Sequence, residues 1–215
     1  MMAIRADSLL PLDAYARQRL LQRAGIIRYR RERSLTLGPA MRLQFEDEHT
    51  VRHLVQELLR IERIDDPQEV QRQLDGVAHL LPQPGQWKAT LLIELPDRAQ
   101  RDRDMALLSE AVHRLYLQCR GFARVPVQAN EDLADRHRGR PAGVHFLRFE
   151  LPRPLCEALR NGARISLGCA HPGYDWQRAL ARPLLQHLSA HLHAPRPSAG
   201  RGRARASQAA EAQPT

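Results

Sequence analysis

Two hydrophobic periods divide this chain. Met41, Leu43 and Phe45 alternate with Arg42, Gln44 and Glu46, the period of a strand with one buried and one wet face. Trp87, Ala89, Leu91, Ile93 and Leu95 alternate in the same way with Lys88, Thr90, Leu92 and Glu94, so Trp87–Leu95 is predicted to be a second such strand. Helical spacing appears instead at Val51, Leu54, Val55, Leu58 and Leu59, behind Asp47 and Thr50 as candidate caps. The polar face of that helix carries Arg52, His53, Gln56, Glu57, Arg60 and Arg63.

GVHFLRFEL, residues 143–151, has neither period in its first half. A continuous apolar run between Pro141-Ala142-Gly143 and Pro152 predicts a central strand covered on both faces, with His145 inside it. Around it the pattern places a long opening helix over Ser8–Arg33, its stripe being Leu12, Tyr15, Leu20, Ile26, Ile27 and Tyr29, with Gly25 as a candidate interruption. Ser34–Leu37 joins Met41–Glu46 through a Gly38-Pro39 turn, and Asp65-Asp66-Pro67 opens a helix through about Leu81. Another helix runs from Pro96-Asp97 to about His113, and Tyr116–Cys119 and Phe122–Val127 form a hairpin. Gln128–Ala142 is an irregular polar loop. A short helix over Pro152–Asn161, a strand over Arg164–His171 and a last helix over about Trp176–Leu192 complete the set.

These elements predict one α+β domain, residues 1–194, with a mixed or mostly antiparallel sheet packed with helices. From 195 to 215 the Arg-, Ala- and Pro-rich composition predicts a disordered tail.

Composition changes this picture little. Apolar content of 43% with 27% charged residues is that of a soluble globular protein, and no apolar run approaches a membrane span. The expected compartment is the cytoplasm. Cys119, Cys156 and Cys169 are scattered, without a CxxC pair. The net charge of +9 invites a nucleic-acid reading, through the tail or through Arg17, Arg19, Arg23, Arg28, Arg30, Arg31 and Arg33 of the first helix. Yet Lys88 is the sole lysine, a skew better explained by a GC-rich coding sequence than by a phosphate-binding surface, so nucleic acid is disfavoured.

Candidate chemistry is sparse. If the strands carrying His145 and His171 paired antiparallel, the two imidazoles would meet at one sheet end, where they could hold a metal or move a proton, with Tyr174 and an acid from Glu131-Asp132. Two hydrogen-bonded core histidines are the plainer account. Lys88 alone avoids arginine, a hint of an ammonium requirement, with Glu94 on its face as a candidate ion-pair partner. His49, His53 and Glu57 share a helix face with zinc-compatible spacing, and His187, His191 and His193 cluster at the last helix's end; a solvated face is the simpler reading of both. No P-loop, GxGxxG, GxSxG or HExxH is present, so nucleotide-binding, dehydrogenase and common hydrolase classes have no support. No cofactor or metal can be assigned.

LGPAMRLQFEDEHTVRHLVQELLRIERI (37–64), WKATLLIELPD (87–97), ANEDL (129–133), VHFLRFEL (144–151) and HPGY (171–174), taken in this order, resemble DUF3501, an uncharacterised bacterial family known only as a domain of unknown function. The resemblance spans roughly residues 8–190 and implies no established activity. It points to Arg52, Gln56, Glu57, Arg60, Glu62, Arg63, Lys88, Glu94, Glu131, Asp132, His145, Arg148, Glu150, His171 and Tyr174 as polar motif positions. The family's genes tend to lie near those of rubrerythrin-like and iron–sulfur oxidoreductase proteins, which implies a redox partner. Three readings follow in order: a cytoplasmic accessory or interaction protein of such a redox system, with a homo-oligomer as a candidate assembly; a metal-binding protein or enzyme at His145 and His171; and nucleic-acid binding through the first helix and tail.

Overall fold

Two antiparallel sheets close on one apolar core. The computed structural model describes residues 4–95, 101–129, 142–190 and 192. Its helices are α1 (Leu12–Glu32), α2 (Glu48–Glu62), α3 (Pro67–Val77), α4 (Arg101–Val112), α5 (Arg153–Arg160) and α6 (Arg182–Ala190). The strands are β1 (Ser34–Leu37), β2 (Met41–Glu46), β3 (Gln86–Ile93), β4 (Leu115–Cys119), β5 (Val125–Pro126), β6 (Gln128–Ala129), β7 (Val144–Glu150), β8 (Ile165–His171) and β9 (Tyr174–Ala179). The first sheet has the order β1-β2-β3-β7-β6 and the second β5-β4-β8-β9, so the fold is α+β with every strand pair antiparallel.

Strand periodicity decides which faces meet. Leu43, Leu91 and Leu147 from the first sheet and Leu117, Leu167 and Cys169 from the second are buried together, and α4, α5 and α6 add Ala111, Leu155 and Leu188. Each fully buried leucine of this kind contributes roughly 1.5–3 kcal/mol. A second cluster covers the other face of the first sheet: Val51, Val55 and Leu59 of α2 with Leu74 of α3, reaching Phe146 of β7. Asp47 starts α2 as expected. Its carboxylate accepts from the Thr50 N–H at 2.9 Å, and the Thr50 hydroxyl accepts from the Asp47 N–H at 2.9 Å. Asp66 caps α3 with Pro67 in the first turn.

Four expectations are corrected. The last helix does not start at Trp176: Tyr174–Ala179 is a strand that pairs with β8 from His171↔Tyr174 to Ser166↔Ala179. Pro183 explains why, since it would break a helix running through it but suits the first turn of one that begins at Arg182. β7 is not covered evenly on both faces. It lies between β3 and the two-residue β6, burying His145, Leu147 and Phe149 on one side while Val144 is exposed and Phe146 and Arg148 half-buried on the other. Gly25 does not interrupt α1, which runs unbroken. Finally, the irregular loop begins later than Gln128, because Gln128 and Ala129 pair with Arg148 and Leu147. The start of the helix at Pro96-Asp97 and the 195–215 tail lie outside the described residues.

Candidate functional site

The polar positions of α2 hold the amino-terminal segment in place. Arg52 donates to the Ser8 carbonyl at 2.8 Å and to Glu48 at 2.6 Å. Gln56 is buried and bonds the Leu10 backbone twice, accepting from its N–H at 2.7 Å and donating to its carbonyl at 3.2 Å. Glu57 accepts from the Tyr15 hydroxyl and from Arg19 Nε, each at 2.7 Å, and from Arg60 at 2.9 Å. Burial alone would raise the Glu57 carboxyl; the bonds from Arg19, Tyr15 and Arg60 prevail and hold it at about 2. Burial and the bond to Glu57 push the Tyr15 phenol the other way, well above its ordinary range. His53 faces the same hydroxyl at 3.1 Å, and burial with the nearby Arg30 charge lowers its pKa. Glu57 is therefore committed to α1, and His49 packs edge-on against the Tyr29 ring at 4.7 Å.

The histidine pair is separated by the topology. β7 has β3 and β6 as neighbours and β8 has β4 and β9, so the strands of His145 and His171 belong to different sheets and do not pair. His145 is buried, with Nε2 2.8 Å from the Ala142 carbonyl. His171 Nδ1 accepts from the Gly173 N–H at 3.2 Å, and its Nε2 lies 3.9 Å from Glu110. Glu131, Asp132, His191 and His193 lie outside the described residues. Among those described, no three His, Cys, Asp or Glu side chains gather to hold a metal ion.

Tyr174 is a joint between the sheets. Its hydroxyl donates to the Leu37 carbonyl at 2.5 Å and accepts from the N–H groups of Ala40 and Met41 at 3.1 and 3.2 Å. Gly38, at φ +61°, gives it room, because a Cβ there would lie 2.6 Å from that hydroxyl.

Lys88 lies in a cross-strand row with Glu46 and Arg148. The expected Glu94 partner is wrong for a geometric reason: six residues along a strand separate the two by about 20 Å. Glu94 pairs with Arg42 instead. Arg148 donates to Gln128 at 2.6 Å, and Glu150 accepts from Gln86 at 2.7 Å. Glu46, expected on the wet face of its strand, is instead buried, because it takes hydroxyl donors from Thr50 at 2.5 Å and Thr90 at 2.7 Å. Arg33 and Asp47 form another buried pair at 3.4 Å, with Tyr29 also donating to Asp47.

What remains uncommitted is the middle of α1. Of its predicted stripe only Tyr15 and Ile26, about three turns apart on one face, are buried. Leu20 to Gly25 are exposed at every position, more than a full turn, so the helix there stands clear of the body. Leu20 is 72% and Leu21 84% exposed, and Ile27 is exposed beyond them. Arg17, Arg23, Arg28 and Arg31 make no hydrogen bond or ion pair among the described residues. Where the helix returns, Ile27, Arg30 and Arg31 wall an open cleft of about 1230 Å³ over the outer face of the first sheet, floored by Gln44, Thr90 and Phe146. The available sequence signal was Leu20-Leu21 set among arginines, since at 100° per residue both point about 130° away from the face shared by Tyr15 and Ile26.

Residues 3–192 match the family described as protein of unknown function, DUF3501. The chain belongs to this family. A solved structure similar to it is a novel protein of unknown function from Burkholderia pseudomallei K96243, 36% identical, with a TM-score of 0.85 over 89% of this chain and 100% of that one. No curated protein matches the chain. No helix among the described residues is long and apolar enough to cross a membrane.

Proposed function

We propose that this DUF3501 protein is a cytoplasmic accessory protein that docks an acidic protein partner along α1. The observation that carries the reading is the exposed full turn from Leu20 to Gly25, with two leucines and unneutralised arginines around it. Exposed apolar side chains rimmed by charge mark a protein contact. Phosphate backbones would satisfy the arginines but leave the leucines wet, so a protein is favoured over a nucleic acid. A second copy is disfavoured because six arginines against Asp13 and Glu32 make α1 repel itself. The partner belongs to the rubrerythrin-like or iron–sulfur oxidoreductase system that the family resemblance implies. In such a system the redox chemistry falls to the partner, for burial pushes the thiols of Cys119, Cys156 and Cys169 up and away from thiolate.

The test is affinity capture from the native host with wild type and Leu20→Ser/Leu21→Ser. Nuclease treatment and light scattering are run alongside. Nuclease-resistant capture of an acidic redox protein, lost in the variant at unchanged thermal stability, is expected. Identical capture by both proteins, nuclease-sensitive capture, or a dimer that the variant abolishes would overturn it.

A further inference from the structure

We propose that β9 is a docking edge for a second copy of this chain, joining the two β5-β4-β8-β9 sheets into one through an antiparallel β9–β9 pair. β9 ends the second sheet, with β8 as its paired neighbour. The bond from the Leu180 N–H to the Ile165 carbonyl fixes the alternation along it. Trp176 and Arg178 bond β8, so the backbone groups of Asp175, Gln177 and Ala179 point away from the sheet. Among the described residues these outward groups have no hydrogen-bond partner.

The other three sheet edges are blunted and this one is not. β5 and β6 are two residues long, and on the four-residue β1 the Thr36 carbonyl accepts from Arg178 at 2.9 Å. β9 runs six residues in unbroken register with β8 and contains no proline, glycine or lysine. Edges that lack such devices are templates for another strand. β1 does not cover this one. Tyr174, Trp176 and Arg178 share one face of β9 and lie against Leu37, Gly38 and Thr36 there, which leaves the edge itself open. Asp175 to Ala179 are exposed throughout, with Trp176 at 48%.

The sequence of the strand selects a second copy as the occupant. A two-fold axis at Gln177 sets that residue against its counterpart and Asp175 against Ala179 of the second copy, so every outward residue finds a hydrogen-bonded partner. Trp176 then lies opposite Arg178 of the second copy, twice, bringing a guanidinium to an indole face. No like charges meet in this register, whereas centring the pair on Asp175 or on Arg178 would set each against itself. The repulsion that keeps two copies of α1 apart therefore has no equivalent here.

Light scattering over a concentration series and residue-resolved amide exchange of the full chain test the pairing. A reversible dimer is expected. In it the amides of Asp175, Gln177 and Ala179 become protected about tenfold or more relative to dilute protein, while those of Trp176 and Arg178, bonded to β8 in either state, do not change. Gln177→Pro removes an outward N–H and leaves the β8 ladder intact, so it should give a monomer of unchanged thermal stability. Leu20→Ser/Leu21→Ser leaves the dimer in place, which separates this face from the α1 contact. A monomer at every concentration, a dimer that survives Gln177→Pro, or protection that spares Asp175, Gln177 and Ala179 overturns the proposal.

Discussion

At the scale of single residues, the motif positions that looked most chemical turn out to hold elements together. Glu57 is the clearest case, with three donors on one carboxylate. Its folded pKa of about 2 lies below the ordinary 4.5, so the unfolded chain binds that proton more readily. The stability it contributes is complete above about pH 4.5 and drains as pH falls toward 2. Urea denaturation between these values should therefore show a smaller pH slope for Glu57→Gln than for wild type; parallel slopes would contradict the assignment. At neutral pH the same substitution should cost about 1–3 kcal/mol. Tyr174 makes the same point for a neutral group. Tyr174→Phe strands the Leu37 carbonyl and two N–H groups inside the joint and should lower stability by about 1–3 kcal/mol, read from the denaturation midpoint. Neither role could be read from sequence, because the partners are far along the chain: Tyr15 for Glu57 and Leu37 for Tyr174.

At the scale of elements, local pattern was a good guide where one face was buried and a poor one where none was. β1, β2 and the capped start of α2 follow directly from alternation, the Gly38-Pro39 turn and Asp47. β9 escapes the pattern because Trp176, Leu180 and Leu184 also satisfy helical spacing, and only pairing with β8 decides between the two. α1 was read as amphipathic, yet its middle turn meets nothing. That leaves Gly25 with no structural reason to be glycine: it is helical, exposed, and has nothing within 4 Å of a Cβ. Gly25→Ala should raise stability by about 0.5–1 kcal/mol through helix propensity, measured by thermal melting. A loss would mean that the helix bends or opens at this turn.

At the scale of the whole molecule, the first sheet separates two apolar clusters of unequal size, and this inequality orders their resistance to opening. β2, β3, β4 and β8 send side chains into the larger cluster, and α4, α5 and α6 pack on the same core. The smaller cluster rests on α2 and α3 and touches the sheet through Phe146, while α1 is tied on by Tyr15, Arg19, Ile26 and the Arg33–Asp47 pair at its two ends. Local opening free energies scale with buried apolar contacts, so amide exchange followed by mass spectrometry should run in three tiers. The 20–25 amides of α1 should exchange first, α2 and α3 next, and the amides of β3 and β8 last. Uniform protection would show that the α1–α3 layer and the two-sheet core open as one unit. Slow exchange confined to 20–25 in the presence of a captured partner would locate that partner on the turn the fold leaves bare.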